Sequence, residues 1–202
     1  MKREHRDAVI DYSVARDRLG RSLNGNPLIP RGGRDYVYEI LKWMLRQDLL
    51  RKYPVDPRKD PEHLPALLRD AAQRRDENQV EAAMLLGFEF GFSRSCLPGL
   101  HALLMEDWHI SHEDIAMVLQ EMHDPSSIDV LYRAAQLQFD YLSFDEAYAL
   151  GVKCCYALGD INTTEGDEKL RLLAELDNPV IAKAARYQFE RDVRPVRQGG
   201  GE

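Results

Sequence analysis

Along most of this chain apolar residues recur three and four positions apart, the spacing that gathers them on one side of an α-helix. The strand signature, strict alternation of apolar and polar positions, is absent. Ala, Leu, Arg, Glu and Gln dominate the long segments, and all favour helix. Two helices are predicted early, over Arg6–Leu23 and Asp35–Lys52. The stretch between them, "NGNPLIPRGG", is a loop by its Gly, Pro and Asn content. "KYPVDPRKDPEHLP" then carries Pro54, Pro57, Pro61 and Pro65. A proline pushes its predecessor out of helical space, so an extended connector is expected here. That connector sets the expected organisation. Residues 1–60 form an N-terminal helical appendage with its connector, 61–191 form the main body, and 192–202 form a flexible tail.

From Glu62 onward the predicted helices come in pairs. Glu62–Arg75 pairs with Glu77–Gly91, Cys96–Glu106 with His112–His123, Ser126–Gln138 with Phe144–Leu158, and Glu165–Leu176 with Pro179–Arg191. The second helices overlay. Val80, Ile115, Tyr148 and Ile181 begin an apolar stripe at spacings of 35, 33 and 33 residues. Ala83, Val118, Gly151 and Ala184 follow three positions later, then Met84, Leu119, Val152 and Ala185. Small residues on such a stripe let neighbouring helices approach closely. "DEN" (76–78), "SHED" (111–114), "SFDE" (143–146) and "DNP" (177–179) precede the second helices as N-caps and acidic or proline-bearing first turns. A repeated face that cannot be buried alone must stack on its neighbours. The expected fold is therefore all-α: a right-handed α-solenoid of about four antiparallel helix hairpins, with an N-terminal helical cap.

Two stretches, "DEAYALGVKCCYALGDI" (145–161) and "EKLRLLAELDNPVIAKAARYQF" (168–189), resemble HEAT-like repeats of the short phycobilisome-lyase type. The pattern is a Leu-rich helix (Leu170, Leu173, Leu176), an Asp177–Pro179 turn, Ile181, then Ala184 and Ala185. Ala157, Leu158 and Gly159 end the preceding unit. The likeness covers about 62–191, is good in the last two hairpins and degenerate in the first two, and leaves the first 60 residues unmatched. It implies a curved scaffold that binds other proteins, without naming a ligand. A looser resemblance, carried by "WHISHEDIAMVLQEMHDPSSIDVLYRAA" and "YALGVKCCYALGDI", is to short HEAT-like immunity proteins encoded beside bacterial polymorphic toxins.

Charge sharpens this picture. The net charge is −7, but residues 1–60 hold 14 Lys and Arg against 9 Asp and Glu, while 61–202 hold 13 against 25. An acidic body argues against nucleic acid as a partner, since phosphate contacts need Lys and Arg, and it suits a basic protein. No apolar run reaches the ~18 residues of a membrane span. No apolar region follows the charged start, so a signal peptide is not expected. Cys96, Cys154 and Cys155 make a poor disulfide framework. The adjacent pair sits in an apolar helical context as small core residues, and a cytoplasmic setting follows.

Candidate chemistry centres on "MEDWHISHED" (105–114). His109 and His112 stand three apart across a turn, not in the four-residue spacing of helical metal ligands. A metal, a capping or packing role, and a partner contact all remain open for them. No phosphate loop, dinucleotide fingerprint or nucleophile elbow is present, and "RGGR" (31–34) is a lone basic glycine pair. No enzyme activity, cofactor or metal is expected. The leading expectation is an immunity protein that occludes a cognate basic toxin. Its expected contacts are the aromatic anchors Trp108 and Tyr141 with Asp107, His109, Glu113, Asp145 and Glu146 around them. The alternatives are a HEAT-like adaptor or assembly factor, or a bilin-lyase-type enzyme.

Overall fold

The computed structural model describes residues 1–24, 31–142 and 147–191, and these are all-helical, without strands. The chain divides into two compact units, Met1–Ser93 and Arg94–Glu202. The division falls after Ser93 and not at the proline-rich connector near residue 60, because the N-terminal helices share a core with the first expected hairpin.

In the first unit α1 (Arg3–Asn24) packs on α2 (Arg31–Lys52) and on α4 (Glu77–Phe90), and α3 (His63–Arg74) packs on α4. Val9 and Tyr12 from α1 are buried, as are Leu64, Leu67, Leu68 and Ala71 of α3 and Val80, Ala82, Ala83, Met84 and Leu86 of α4. Apolar burial on this scale is what repays the ordering of the chain. A carboxylate is buried within the unit. The Glu89 carboxylate is almost wholly buried and is held by Arg16 of α1 at 3.5 Å and by Arg46 of α2. Burial, reinforced by that carboxylate, holds the Tyr12 phenol above its ordinary value. Asp76 caps α4, accepting the Gln79 N–H at 3.1 Å. The connector is a series of turns, and Pro65 lies inside the first turn of α3, where a missing N–H costs nothing. Backbone at 31–34 belongs to the start of α2, so "RGGR" is helical there and not loop.

The second unit comprises α5 (Leu97–Leu103), α6 (His112–Met122), α7 (Ile128–Ala134), α8 (Ala149–Ile161), α9 (Thr164–Ala174) and α10 (Pro179–Glu190), with short 3-10 turns at Arg94–Cys96, Pro125–Ser127 and Asp140–Leu142. α8 is its hub. It packs on α6, α7, α9 and α10, while α7 also packs on α9, and α9 on α10. Asn178 caps α10 through the Val180 and Ile181 N–H groups, with Pro179 at the first position. Thr163 caps α9 in the same way through Gly166. Cys96, Cys154 and Cys155 are buried, and burial pushes the Cys155 thiol up to about 12.

The apolar stripe lies in the core at Val80, Ala83, Met84, Ile115, Val118, Leu119, Ile181, Ala184 and Ala185. It slips on α8. The expected start near Phe144 moves to Ala149, Tyr148 precedes the helix at φ 49°, and Val152 is only half-buried. Leu150, Gly151, Cys154, Cys155, Ala157 and Leu158 carry the α8 core instead. The segment 143–146, with its "SFDE", lies outside the described residues.

Gly151 shows how tightly α8 is surrounded. A Cβ there would stand 2.8 Å from the Ala135 carbonyl oxygen and 2.8 Å from the Ile181 side chain. Gly151→Ala is therefore expected to destabilise by about 1–3 kcal/mol through overpacking, against the gain of about 1 kcal/mol that alanine brings in an open helix. Urea unfolding checks this, and an unchanged or raised midpoint would show that the helices can part at no cost.

Candidate functional site

The chain from Leu104 to Ser111 turns between α5 and α6, and two histidines hold it. A helix end leaves carbonyls without partners. The His109 Nε2–H donates to the Leu103 carbonyl at 2.9 Å, and its Nδ1 accepts the Ser111 N–H at 3.1 Å. The His112 Nε2–H donates to the Glu106 carbonyl at 2.6 Å, and its Nδ1 accepts the Tyr141 hydroxyl at 2.7 Å. These bonds fix both rings as the neutral Nε2–H tautomer.

The rings also stack. His109 lies on His112 with centroids 4.3 Å apart at 16°, and Phe139 covers the other face of His112 at 3.8 Å. Trp108 meets His109 edge-on at 5.0 Å, and its indole N–H donates to Glu106 at 2.7 Å. Both imidazoles are buried. Burial drives the His112 pKa down from 6.5 to about 4, and it pushes the Tyr141 phenol up to about 12, with Glu113 and Asp114 adding to the latter. With all four imidazole nitrogens engaged, neither ring has a lone pair to offer an ion or a substrate.

The expected contact residues thus separate into two kinds. His109 and Tyr141 are part of the turn's internal lock, and Trp108 is half-buried against it. Asp107 is exposed. Glu113 pairs with Lys153 of α8 at 2.9 Å, a half-exposed bridge of small energetic weight. Asp145 and Glu146 lie outside the described residues. Ser111 occupies the cap position of α6, but its side chain makes no capping bond; the His109 ring takes its N–H instead. Glu113 and Asp114 do lie in the first turn of α6, at the positive end of its dipole.

Sequence reasoning passed over Ile110 and Phe139. Ile110 is 61% exposed within the turn, and Asp107 and Asp114, three positions before it and four after it in the chain, are exposed as well. A β-branched apolar residue among polar neighbours was a signal available in the sequence. Phe139 carried no such signal, since its contact with His112 bridges 27 positions along the chain.

A serine–histidine pair occurs nearby, with His101 Nε2 and Ser127 Oγ 2.9 Å apart. Ser127 is fully buried, and the Asp124 carboxylate beside it is held by the Ser126 N–H at 3.0 Å and by Arg94 at 3.3 Å. The pair ties the 125–127 turn to α5 and offers no accessible nucleophile. Compared with protein-family models, with curated proteins and with solved structures, the chain yields no match.

The His112 environment has a consequence for pH dependence. In the unfolded chain its imidazole takes a proton near 6.5, whereas in the folded chain it resists down to about 4. The unfolded state therefore binds more protons in that window, and stability falls as pH drops through it, by up to about 3 kcal/mol. Denaturant unfolding of the native chain and of His112→Gln across pH 4–7.5 checks this. The native chain should show the steeper loss, and parallel curves would exclude His112 as its source.

Proposed function

We propose that this chain is a protein-binding helical scaffold, and that it acts as an immunity protein by seating a basic toxin domain on the turn between α5 and α6. The observation that carries this reading is Ile110, an apolar side chain held open to solvent between Asp107 and Asp114. A turn fixed by two doubly bonded imidazoles and a ring stack loses little freedom when a partner arrives, which favours affinity. An apolar side chain that a partner can bury, with polar residues at the margin, matches the apolar centre and polar rim of protein interfaces. The acidic excess of 61–202, 25 acids against 13 bases, would steer a basic partner toward it.

The solenoid reading belongs to the same proposal. Its support is the side-by-side packing of α6, α8 and α10, with α7 and α9 packed on each other and on α8. That is the two-layer adjacency expected of stacked hairpins of the right-handed, HEAT-like kind. Trp108, Tyr141, His109 and Glu113 then serve the surface from beneath, by fixing the shape that Ile110 and the acids present.

The test is co-expression with the toxic product of the adjoining gene. Growth should be rescued and an equimolar complex should elute. Ile110→Arg combined with Asp114→Lys should weaken binding by about 2 kcal/mol or more while leaving helical content unchanged; the lost acid at the start of α6 should lower stability by only about 1 kcal/mol. Full protection by that variant would remove the turn from the interface. A neighbourhood holding only metabolic genes would sink the immunity reading and leave an adaptor.

A further inference from the structure

The helices α1 and α2 form a layer with two unlike faces. One face is turned to α4, where Tyr12, Arg16 and Arg46 converge on Glu89. On another face a groove of about 610 Å³ runs between the two helices. Its lining includes Ala15 and Leu19 of α1 and Leu41, Met44 and Leu45 of α2. A second hollow of about 380 Å³, lined by Trp43, Met44, Gln47 and Arg51, adjoins it. Large apolar side chains stand open here: Trp43 is 59% exposed and Met44 53%. Exposed apolar side chains gathered along a groove between two helices are what a partner helix can bury.

The rims are basic on balance, with two arginines against one acid in the lining. Arg18 lines the groove from α1 and Arg51 from α2. The acid in the lining, Asp48, is already bridged by Lys52 at 2.7 Å and by Arg51 at 3.5 Å, which holds its pKa below the usual carboxylate value. The wider segment 1–60 is basic, 14 Lys and Arg against 9 acids, in a chain that is otherwise acidic.

From these features we propose that the groove between α1 and α2 receives an amphipathic helix of a partner protein, apolar along one stripe and acidic along its flanks. The stripe would bury the Leu19, Leu41, Leu45 and Met44 floor as one helix packs into the furrow between two others. The flanking carboxylates would meet Arg18 on one rim and Arg51 on the other, in charge-assisted pairs. The groove belongs to the first unit and the 107–114 turn to the second, and the groove takes a partner of opposite charge to the one proposed for the turn.

Two designed peptides test it on the full chain, each of about 18 residues with the same leucine stripe, one with glutamate flanks and one with lysine flanks. Fluorescence anisotropy of labelled peptide should show saturable binding of the glutamate form, and binding at least about tenfold weaker for the lysine form. Met44→Glu should abolish binding, and Arg18→Glu with Arg51→Glu should invert the preference. Circular dichroism verifies that each variant keeps its helices; since Met44 and Arg51 are exposed, neither change removes core packing. Should Met44→Glu fail to fold, the Arg18/Arg51 reversal alone decides. No saturable binding of the glutamate peptide, equal binding of both peptides, or indifference to the rim reversal would each overturn the proposal. So would a dimer by sedimentation that Met44→Glu converts to monomer, because the groove would then belong to a second copy of this chain.

Discussion

The second unit depends on how closely other helices can approach α8. Four helices lie against it, and only a strip through Val152, Lys153, Tyr156 and Asp160 is left open or partly open to solvent. The chain meets this with Gly151, Cys154, Cys155, Ala157 and Gly159, all buried. At Gly151 the approach is to a backbone oxygen, which cannot swing aside as a side chain can. At Gly159 the neighbour is the Gln188 side chain, so the same closeness is met there by a group with freedom to move. The cysteines fit this pattern as small apolar residues. Burial holds their thiols protonated, and that removes the thiolate on which cysteine chemistry depends.

The turn between α5 and α6 solves a different problem. α5 is only seven residues long, and its last carbonyls need donors. A serine cap at the start of α6 would serve the N–H groups of the next helix but not those carbonyls. Imidazole does both, because one ring nitrogen donates and the other accepts. His109 links the Leu103 carbonyl to the Ser111 N–H, and so spans the turn from end to end. His112 links the Glu106 carbonyl to Tyr141, and so anchors the turn to the segment after α7. The rings stack because both are neutral; a charged pair at 4.3 Å would repel. A rigid turn in turn allows one apolar residue within it to stay exposed in a fixed place.

The first unit uses charge where the second uses small residues. Glu89 draws one arginine from α1 and one from α2 onto α4. Glu89 is the partner common to both arginines, so its carboxylate ties the three helices into one group. Of the other basic residues of α1 and α2, Arg18 and Arg51 line the groove on the outer side of the pair.

Much of this was legible along the chain. Helix limits at α3, α4, α6 and α10 fall within a residue of the periodic pattern, and the Asp76 and Asn178 caps stand where the short motifs put them. These features depend on residues within one or two helical turns of each other, so local sequence determines them. The buried stripe on α4, α6 and α10 and the buried cysteines follow for the same reason. The register of α8, the division after Ser93 and the role of the two histidines were decided only by tertiary structure. α8 answers to four neighbours at once. The division depends on α1 lying against α4, some 70 residues away in sequence. The histidines depend on Phe139 and Tyr141, and an imidazole's protonation and use follow from what surrounds it, not from what adjoins it in the chain.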